Sequence, residues 1–360
     1  MIPLAARAVA EAERPYVARL RLTSAVADRA EASLVHEDAS GALFAGGRGL
    51  LSVDGIPAAR LDGDIVLVDP AAGRLERLLR AGSSHNTLLV TERCDQLCVM
   101  CSQPPKKTHV DRFDLLEEAS LLAEPHALIG VSGGEPTLYK NRLLTMMERV
   151  LVARPDLRFH VLSNGQHFDG DDVVRMRHPA YRRIAWGIPI YAADARLHDI
   201  IVGKTGAFAR LEESLAHLIS AGARVELRTV LVRDNLEVLP DLARFVTGRL
   251  RFVEAWSIMQ LEHVGFAKGR WADLAVDHRR AFGPIADAID HAALHGVAAQ
   301  LFNFPRCTVP PAYRGLAVAS ISDWKRRYAT ACGPCRERDA CSGFFEWHPD
   351  EEAESMATPL

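Results

Sequence analysis

The stretch Cys94-Asp95-Gln96-Leu97-Cys98-Val99-Met100-Cys101 decides the fold of this chain. Its cysteines follow the pattern Cys-x3-Cys-x2-Cys, and Gly133-Gly134-Glu135-Pro136 comes about thirty residues later. Three thiolates can hold three irons of a 4Fe–4S cluster and leave the fourth iron open to another ligand, whereas a cluster with four cysteines is closed and carries electrons. The pattern therefore predicts an iron–sulfur site at which chemistry takes place.

Zinc and disulfides are the alternative uses of clustered cysteines. Structural zinc takes four ligands, and the nearest nitrogen donor, His109, lies beyond Pro104-Pro105 at no familiar ligand spacing. The chain begins Met-Ile-Pro-Leu with no secretory signal and has no long apolar segment. We therefore expect a cytoplasmic, reducing location and no disulfide framework. An open iron–sulfur site is the interpretation that fits best.

Composition places the chain among ordinary soluble globular proteins. It has 360 residues, of which 48% are hydrophobic and 25% are charged, and its formal net charge is −3. This balance favours neither a nucleic-acid partner nor a membrane. The seven cysteines fall into two groups, at 94–101 and 307–341, which predicts two metal sites.

The order of hydrophobic runs predicts a small N-terminal module over residues 1–83. Short β-prone runs separated by glycine turns lie at Val17–Thr23, Leu50–Val53 and Asp64–Val68, and Leu75–Leu79 is predicted to form a helical turn. No catalytic constellation is present, so we expect a structural or docking module.

Over residues 84–300 apolar strands alternate with amphipathic helices. The predicted strands are Thr87–Thr91, Leu128–Ser132, His160–Ser163, Ile184–Ile190, Val225–Leu231 and Phe252–Met259. Helix-spaced apolar residues lie at Leu143–Leu151, Phe208–Leu218 and Phe282–Ile289. Such repeats predict an α/β fold, a partial (β/α)6 TIM-like barrel with buried parallel strands. Both motifs follow carboxyl ends of strands, where such barrels carry their chemistry, so we expect them to converge.

These motifs resemble the radical S-adenosylmethionine (SAM) superfamily, whose signature is a cysteine triad followed by a Gly-Gly-Glu strand end. The resemblance implies that Cys94, Cys98 and Cys101 ligate the cluster and that SAM chelates the fourth iron. One electron then cleaves SAM reductively to methionine and a 5′-deoxyadenosyl radical. The residues implied in the cofactor pocket are Met100 beside the adenine, Gly133, Gly134 and Glu135 at the SAM ammonium group, Pro136 at the strand exit, and Ser163 and Asn164, for which a simple turn is the alternative.

The fourth predicted strand departs from the family pattern. Many relatives that modify peptides have a serine and an arginine at positions that hold Pro189 and Val202 here, and those side chains are common cofactor contacts. The following positions match the pattern: His198, Asp199, Gly203, Gly206 and Phe208. Arg228 on the fifth strand could substitute electrostatically, or it could be a surface charge.

A second ligand set consists of Cys307, Cys332, Cys335 and Cys341. Four thiolates can close a 4Fe–4S cluster or a tetrahedral zinc site, and ligand count does not separate the two. Cys-x2-Cys-x5-Cys resembles part of the SPASM extension of radical SAM peptide maturases, but Phe345 stands where a further cysteine is expected. The resemblance therefore implies a Twitch-like module over 301–346 with one auxiliary 4Fe–4S cluster. The acidic tail over 347–360 is predicted to be disordered.

Several phrases resemble the His-Xaa-Ser system radical SAM maturases, among them Cys101-Ser102-Gln103-Pro104-Pro105 and Cys341-Ser342-Gly343-Phe344-Phe345. The resemblance implies a bacterial, cytoplasmic oxidoreductase that modifies a ribosomally synthesised precursor peptide (a RiPP) by hydrogen abstraction. Its implied partners are that peptide, a second radical SAM protein of the same system and an electron donor. The alternatives are a radical SAM enzyme acting on a small molecule or carbohydrate, and a non-catalytic zinc-binding scaffold.

Overall fold

The computed structural model describes residues 4–23 and 30–360. Contacts divide the chain into two compact units, the first formed by Met1–Thr91 with His109–Val161 and the second by Glu92–Thr108 with Leu162–Leu360. Each unit contains buried apolar clusters and is described by itself. The domain boundaries at 83, 300 and 346 stay a prediction.

The described part of the N-terminal module is a closed β-barrel in the first unit. Its strands are β1 (Ala5–Ala10), β2 (Tyr16–Arg21), β3 (Glu31–Asp38), β4 (Gly41–Gly46), β5 (Gly49–Asp54), β6 (Ile65–Asp69) and β7 (Arg74–Leu79). They pair in the order β1-β5-β4-β3-β2-β6-β7 around a core that includes Leu20, Phe44 and Leu75. Residues 1–3 and 24–29 of the predicted module lie outside the described residues.

One prediction within this module is wrong. Leu75–Leu79 forms a strand and not a helical turn, because its backbone pairs with β6 from Leu75 to Leu79 and with β1 from Arg74 to Glu76. Closing the barrel satisfies the backbone groups on both edges of β7, and a helical turn there would leave the edges of β1 and β6 unpaired.

The remainder of the first unit begins the α/β domain. It contains β8 (Thr87–Thr91), α1 (Phe113–Leu121), β9 (Leu128–Gly133), α2 (Lys140–Ala153) and β10 (Arg158–Leu162, of which residues up to 161 lie in this unit). The strands run parallel, with β9 between β8 and β10. Helix α2 buries the face predicted from its apolar spacing, including Leu143, Met147 and Leu151.

The second unit continues the alternation of helix and parallel strand. Its elements are α3 (Gly170–Met176), β11 (Ile184–Pro189), α4 (Ala195–Val202), α5 (Ala207–Ala221), β12 (Arg224–Val230), α6 (Arg233–Leu236), α7 (Leu239–Arg249), β13 (Ala255–Met259), α8 (Gly265–Gly269), α9 (Trp271–Leu274), α10 (Gly283–Leu294) and β14 (Ala299–Phe302). The strands pair in the order β11-β12-β13-β14. The mixed α/β class with parallel strands of a partial TIM-like barrel is confirmed, and β14 adds a short parallel strand that the sequence pattern did not indicate.

The C-terminal residues of the second unit are rich in loops and short 3-10 turns. They include β15 (Arg326–Arg327), β16 (Phe344–Phe345) and α11 (Asp350–Met356). The predicted disorder of the tail is wrong over α11, because Ala353 and Met356 lie on one face of that helix and pack with Ala329 and Phe344 in a small apolar core. No helix in the described residues is both long enough and apolar enough to cross a membrane.

Candidate cofactor site

The cysteine loop, residues 92–108 of the second unit, is fastened to the carboxyl end of α4. The Leu97 and Val99 amides donate to the carbonyls of the last two residues of that helix over 3.1 and 2.8 Å. The helix stops at Gly203, whose φ is 65° and where a Cβ would stand 2.4 Å from the Leu97 carbonyl oxygen. Glycine takes this left-handed conformation without strain and leaves room for the loop.

Two residues of α4 that match the family pattern, His198 and Asp199, hold this helix against neighbouring segments. Asp199 accepts hydrogen bonds from the amides of Gly206 at 2.5 Å and Phe208 at 2.8 Å, which fixes the start of α5. His198 is 1% exposed and its Nδ1 accepts from the Tyr191 amide at 3.4 Å. Burial lowers the pKa of His198 to about 4, so the ring is neutral at pH 7 and able to accept that bond.

Asp95, inside the cysteine loop, is a site residue that the sequence analysis missed. Its carboxylate accepts hydrogen bonds from Lys204 Nζ at 2.5 Å and Asn164 Nδ2 at 2.8 Å, and His167 Nε2 lies 3.3 Å away. Burial opposes ionisation, but the hydrogen bonds and charges of His167 and Lys204 outweigh it and hold the pKa of Asp95 below its usual range. This carboxylate therefore ties the loop to the residues that follow α4 and to the turn at Asn164.

The thiols of Cys94, Cys98 and Cys101 are half-buried and close enough to influence one another. Burial, followed by the neighbouring Cys101 and Cys94, raises the pKa of Cys98 to about 12. Burial also raises the pKa of Cys101, whose Sγ lies 3.1 Å from the Gln103 carbonyl oxygen. Burial thus favours the protonated forms of Cys98 and Cys101, and a bound cation would favour their thiolates.

Met100 is 7% exposed and belongs to an apolar cluster with Tyr191, Val202 and Leu261. The methionine thus anchors the loop in the core, and its contact with an adenine stays a prediction. Val202 is fully buried in the same cluster. At the position where the family pattern expects an arginine, this chain therefore has an apolar residue that packs in the core.

Ser163 and Asn164 form a turn after β10. Ser163 Oγ accepts from the Gly165 amide at 3.1 Å, and Asn164 Oδ1 accepts from the Gln166 amide at 3.1 Å. Both side chains are buried, and the amide group of Asn164 also holds Asp95. The turn alternative is present in the structure, and a cofactor contact stays a prediction for both residues.

Gly133-Gly134-Glu135-Pro136 lies in the first unit, at the end of β9. A Cβ on Gly133 would stand 2.2 Å from the Thr91 carbonyl oxygen, and the Gly134 amide donates to the same oxygen at 2.9 Å. Close approach of β8 is thus one physical reason for glycine at 133. Glu135 is fully buried, and its Oε1 accepts from the amide of Thr137 at 2.7 Å, capping the 3-10 turn that begins at Pro136. Convergence of this motif with the cysteine loop stays a prediction.

Comparison with known proteins identifies the part of the chain that holds both motifs. A family model described as the Radical SAM superfamily matches residues 88–246. Residues 88–246 form a radical SAM domain. The match begins in β8 and ends in α7, so it includes the cysteine loop and Gly133–Pro136.

Two similar proteins are named AdoMet-dependent heme synthase. The one from Oleidesulfovibrio alaskensis is 26% identical over 208 residues, covering 54% of this chain and 51% of its own length. The one from Nitratidesulfovibrio vulgaris is 27% identical over 203 residues, covering 54% of this chain and 53% of its own length. The chain thus spans about half the length of these relatives.

The chain is also similar in part to solved structures. Streptococcus suis SuiB bound to precursor peptide SuiA superimposes with a TM-score of 0.47 and 14% sequence identity, covering 60% of this chain and 48% of SuiB.

Downstream of the radical SAM domain, the cysteines of the second set line one small cavity of about 20 Å³. Cys341 Sγ accepts from the amides of Arg306 and Gly343 at 3.3 and 3.4 Å, and Cys335 Sγ accepts from the Leu360 amide at 3.5 Å. Burial raises the pKa of Cys307 and of Cys332. The sequence prediction that these distant cysteines form one set is consistent with this arrangement.

Within residues 4–23 and 30–360, no three His, Cys, Asp or Glu side chains stand at ligand distances from a common point. The donor chemistry nevertheless fits the expected groups, since an all-thiolate triad suits an open iron–sulfur cluster and four thiolates suit a closed one or zinc. The ligand roles of these cysteines stay a prediction.

A cavity of about 380 Å³ lies in the second unit. Its lining shares Leu261 and Trp271 with the apolar cluster that holds Met100. The lining also includes Met356, whose carbonyl oxygen lies 3.9 Å from Cys307 Sγ. Other lining residues come from the ends of β12 to β14 and from α11, among them Leu231, Gln260, Phe304, Glu352 and Ser355.

The cavity has polar groups that are already held in place. Trp271 Nε1 donates to Glu352 at 3.0 Å, and Arg279 forms a paired contact with Asp277 at 2.9 and 3.0 Å. Arg279 also donates to the Ser355 carbonyl at 3.1 Å. The volume lies within the range of ordinary ligand pockets, and convergent polar groups in a mostly apolar wall are typical of such sites.

Proposed function

We propose that the protein is a radical SAM enzyme that modifies a ribosomally synthesised precursor peptide in the cytoplasm. Cys94, Cys98 and Cys101 would hold the catalytic 4Fe–4S cluster, with SAM at the open iron. When bound, these groups supply a 5′-deoxyadenosyl radical able to abstract a hydrogen atom from the substrate. Cys307, Cys332, Cys335 and Cys341 would hold one auxiliary 4Fe–4S cluster or a zinc ion.

The observation that supports a substrate site is the position of the large cavity. Its lining shares Leu261 and Trp271 with the apolar cluster that contains Met100, and it includes Met356, whose carbonyl oxygen contacts Cys307 Sγ. A substrate in this cavity would therefore touch residues that pack with each of the two cysteine sites. Arg233 and Ala272 among the lining residues are exposed, so the cavity opens to solvent on their side.

The residues of this chain position and shelter the reaction. The Asp95 network and the α4 hydrogen bonds hold the cysteine loop still, and the cluster around Met100 keeps water from its inner side. Such pre-organisation and exclusion of water are what a protein contributes to radical chemistry carried by cofactors. An electron donor is required, and a second radical SAM protein of the same system is a candidate partner.

A second candidate is a radical SAM enzyme acting on a small molecule. The likeness to two AdoMet-dependent heme synthases favours it, although each match covers about half of either chain. The cavity separates the candidates by charge, because Arg279 is already neutralised by Asp277 and Glu352 is an acid. Arg233, the other arginine of the described lining, donates to the Ala272 and Asp273 carbonyls, so the cavity is poorly suited to a substrate with several negative charges.

The test begins with anaerobic reconstitution of the wild type and a Cys94→Ala/Cys98→Ala/Cys101→Ala variant. About eight irons per chain, falling to about four in the variant, support a catalytic plus an auxiliary cluster, since each cluster carries four irons. The wild type with reductant and SAM is expected to form 5′-deoxyadenosine, and the variant none. Zinc in place of iron with no deoxyadenosine contradicts the radical mechanism.

The substrate class is tested by co-expression with a candidate precursor peptide and mass spectrometry, with a chiral assay for epimers. Ala272→Trp, which narrows the cavity, should abolish modification, whereas Ala293→Trp on the exposed side of α10 should leave it intact. Iron content of both variants is measured alongside. An unmodified peptide with wild-type enzyme that cleaves SAM rejects the peptide and leaves the small-molecule candidate.

A further inference from the structure

The open face of β12, defined by Glu226, Arg228 and Val230, carries a guanidinium that the proposed function does not yet use. These residues are half-buried, while Val225, Leu227 and Thr229 on the opposite face are fully buried. The Arg228 side chain is 19% exposed, which excludes the surface-charge alternative. A cation so far inside a sheet needs a partner or a ligand, because desolvation of an unpaired charge is costly.

The Arg228 side chain donates one hydrogen bond within the described residues. Its Nη1 donates to Glu226 Oε1 at 2.8 Å, and its guanidinium lies 5.6 Å from the centre of the Phe302 ring. Glu226 is itself held by Ser257 Oγ at 2.5 Å. The carboxylate and the ring fix one edge and one face of the guanidinium, so Nε and Nη2 are left to donate to an anion.

Arg228 is also connected to the cysteine loop through residues that pack with both. Val230, two residues further along the same face, packs against the cluster that contains Met100, with Cys98 at its edge. Tyr191 belongs to that cluster, and burial raises its pKa, with Cys98 and Cys101 raising it further and the Arg228 charge opposing them. The guanidinium and the two thiols are thus within electrostatic reach of the same phenol.

The register of the sheet connects Arg228 to the residues that are missing from the family pattern. Pro189 on β11 is paired directly with Arg228, and Ser257 on β13 is paired with it on the other side. Pro189 occupies the position where the family pattern has a serine, and buried Val202 occupies that of the arginine. Arg228 therefore brings a donor into the same row of the sheet, next to the position that has lost one.

We propose that Arg228 binds the carboxylate of SAM, with Glu226 and Phe302 holding its guanidinium in place. A guanidinium with a free donor edge pairs with a carboxylate through two parallel N–H···O bonds, which is a strong and directional contact. This inference rests on the proposed function, since it assumes that SAM is bound. It makes Arg228 a cofactor-binding residue in place of the side chains absent at 189 and 202.

The experiment compares two ligands against Arg228 variants. Equilibrium dialysis on the anaerobically reconstituted protein gives dissociation constants for SAM and for decarboxylated SAM, which lacks only the carboxylate. In the wild type, loss of the carboxylate removes both its contact with the arginine and its contact with iron. In Arg228→Gln, only the second contact remains to be lost. The penalty for decarboxylation should therefore be roughly 10- to 100-fold smaller in Arg228→Gln than in the wild type.

Matched variants separate binding from structure. Arg228→Lys keeps the charge but not the fork and should fall between the two. Arg228→Gln/Glu226→Gln also removes the negative charge that loses its guanidinium partner in the single variant. Arg224→Gln, on the same strand but paired with Glu254 at an exposed end, should match the wild type. Iron content confirms that each variant carries its cluster.

Equal decarboxylation penalties in the wild type and in both Arg228→Gln variants overturn the inference and leave the proposed function standing. A wild type that carries its cluster and binds neither ligand overturns both. A perturbation of the reduced-cluster electron paramagnetic resonance spectrum by SAM, retained in the wild type and lost in Arg228→Gln at the same SAM concentration, supports it independently of turnover.

Discussion

Replacing Asp95 by asparagine tests the idea that one carboxylate holds the cysteine loop in place before any metal is bound. The substitution keeps the shape of the side chain and removes its charge. Lys204, Asn164 and His167 then lose the acceptor that they share, at 2.5, 2.8 and 3.3 Å respectively. We expect the loop to open more often from α4 while the rest of the second unit stays folded.

The magnitude follows from the exposure of the pair. Hydrogen bonds to charged groups contribute about 1.5–3 kcal/mol each when buried, and exposed ion pairs about 0–1 kcal/mol. The Asp95 and Lys204 side chains are 25% and 32% exposed, so an intermediate loss of about 2 kcal/mol is reasonable for the set. That loss corresponds to roughly a 30-fold larger open population.

Hydrogen exchange of the metal-free protein measures this opening directly. The Leu97 and Val99 amides are bonded to the end of α4, so their exchange should be roughly 30-fold faster in Asp95→Asn. Asp287→Asn on the exposed side of α10 is the control and should change nothing. Exchange rates at Leu97 and Val99 that stay within about threefold of the wild type would refute the reasoning, since the predicted loss is several times larger.

The effect of Asp95→Asn on hydrogen exchange should depend on pH in a defined direction. The folded pKa of Asp95 lies below its usual range, so its contribution is fully present above the unfolded value near 3.9 and is lost as the pH falls through the folded pKa. The ratio between wild-type and Asp95→Asn exchange should therefore be constant from about pH 6 to 8 and shrink only in strong acid. A ratio that changes near neutrality would point to a group other than Asp95.

Four further substitutions test other parts of the structure. Gly203→Ala should lower the amount of iron bound after reconstitution, because the new Cβ would stand 2.4 Å from the Leu97 carbonyl oxygen. Gly206→Ala is its control, since Gly206 also has a positive φ but a Cβ there would have no atom within 4 Å. Urea unfolding of the control therefore measures the conformational cost alone, about 1–2 kcal/mol. Gly133→Ala, whose Cβ would stand 2.2 Å from a carbonyl oxygen, should destabilise the first unit by several times that cost, measured by the same assay; an unchanged midpoint would mean that β8 moves away freely. Burial lowers the pKa of His278 to about 4, so wild-type stability should fall as the pH drops from about 6.5 towards 4, and His278→Gln should flatten that slope in thermal melts.

Much of the fold was predictable because its signals are local. Alternation of apolar strands with helices at 3.6-residue spacing indicated the α/β domain. The apolar residues between Leu143 and Leu151 lie on the buried face of α2 as expected. β14 was missed since it has only four residues, and its third, Leu301, is the fully buried one. Leu75–Leu79 was assigned to the wrong class because its environment comes from β1 and β6, which are distant in sequence.

In the candidate site too, residues with a local sequence signal were predictable and residues defined by distant contacts were not. The cysteines stand out by type and spacing, so sequence alone pointed to them. Asp95 was overlooked because an acid in a loop is ordinary, and its importance comes from Asn164 and Lys204, which are 69 and 109 residues away. The tail helix α11 was hidden by its acidic residues, since the small core that Ala353 and Met356 complete becomes visible only in three dimensions.

The fastening of the cysteine loop to α4 bears on how metal would be loaded. A loop already bonded through Leu97 and Val99 presents its thiols to an incoming iron–sulfur cluster with little ordering entropy left to lose. The C-terminal cysteines lie on loops around a core of a few apolar side chains. Metal binding and folding should therefore be coupled in this segment. During iron starvation the cysteine loop should stay folded and able to bind a cluster. The C-terminal segment should be the first part of the chain that proteases cleave.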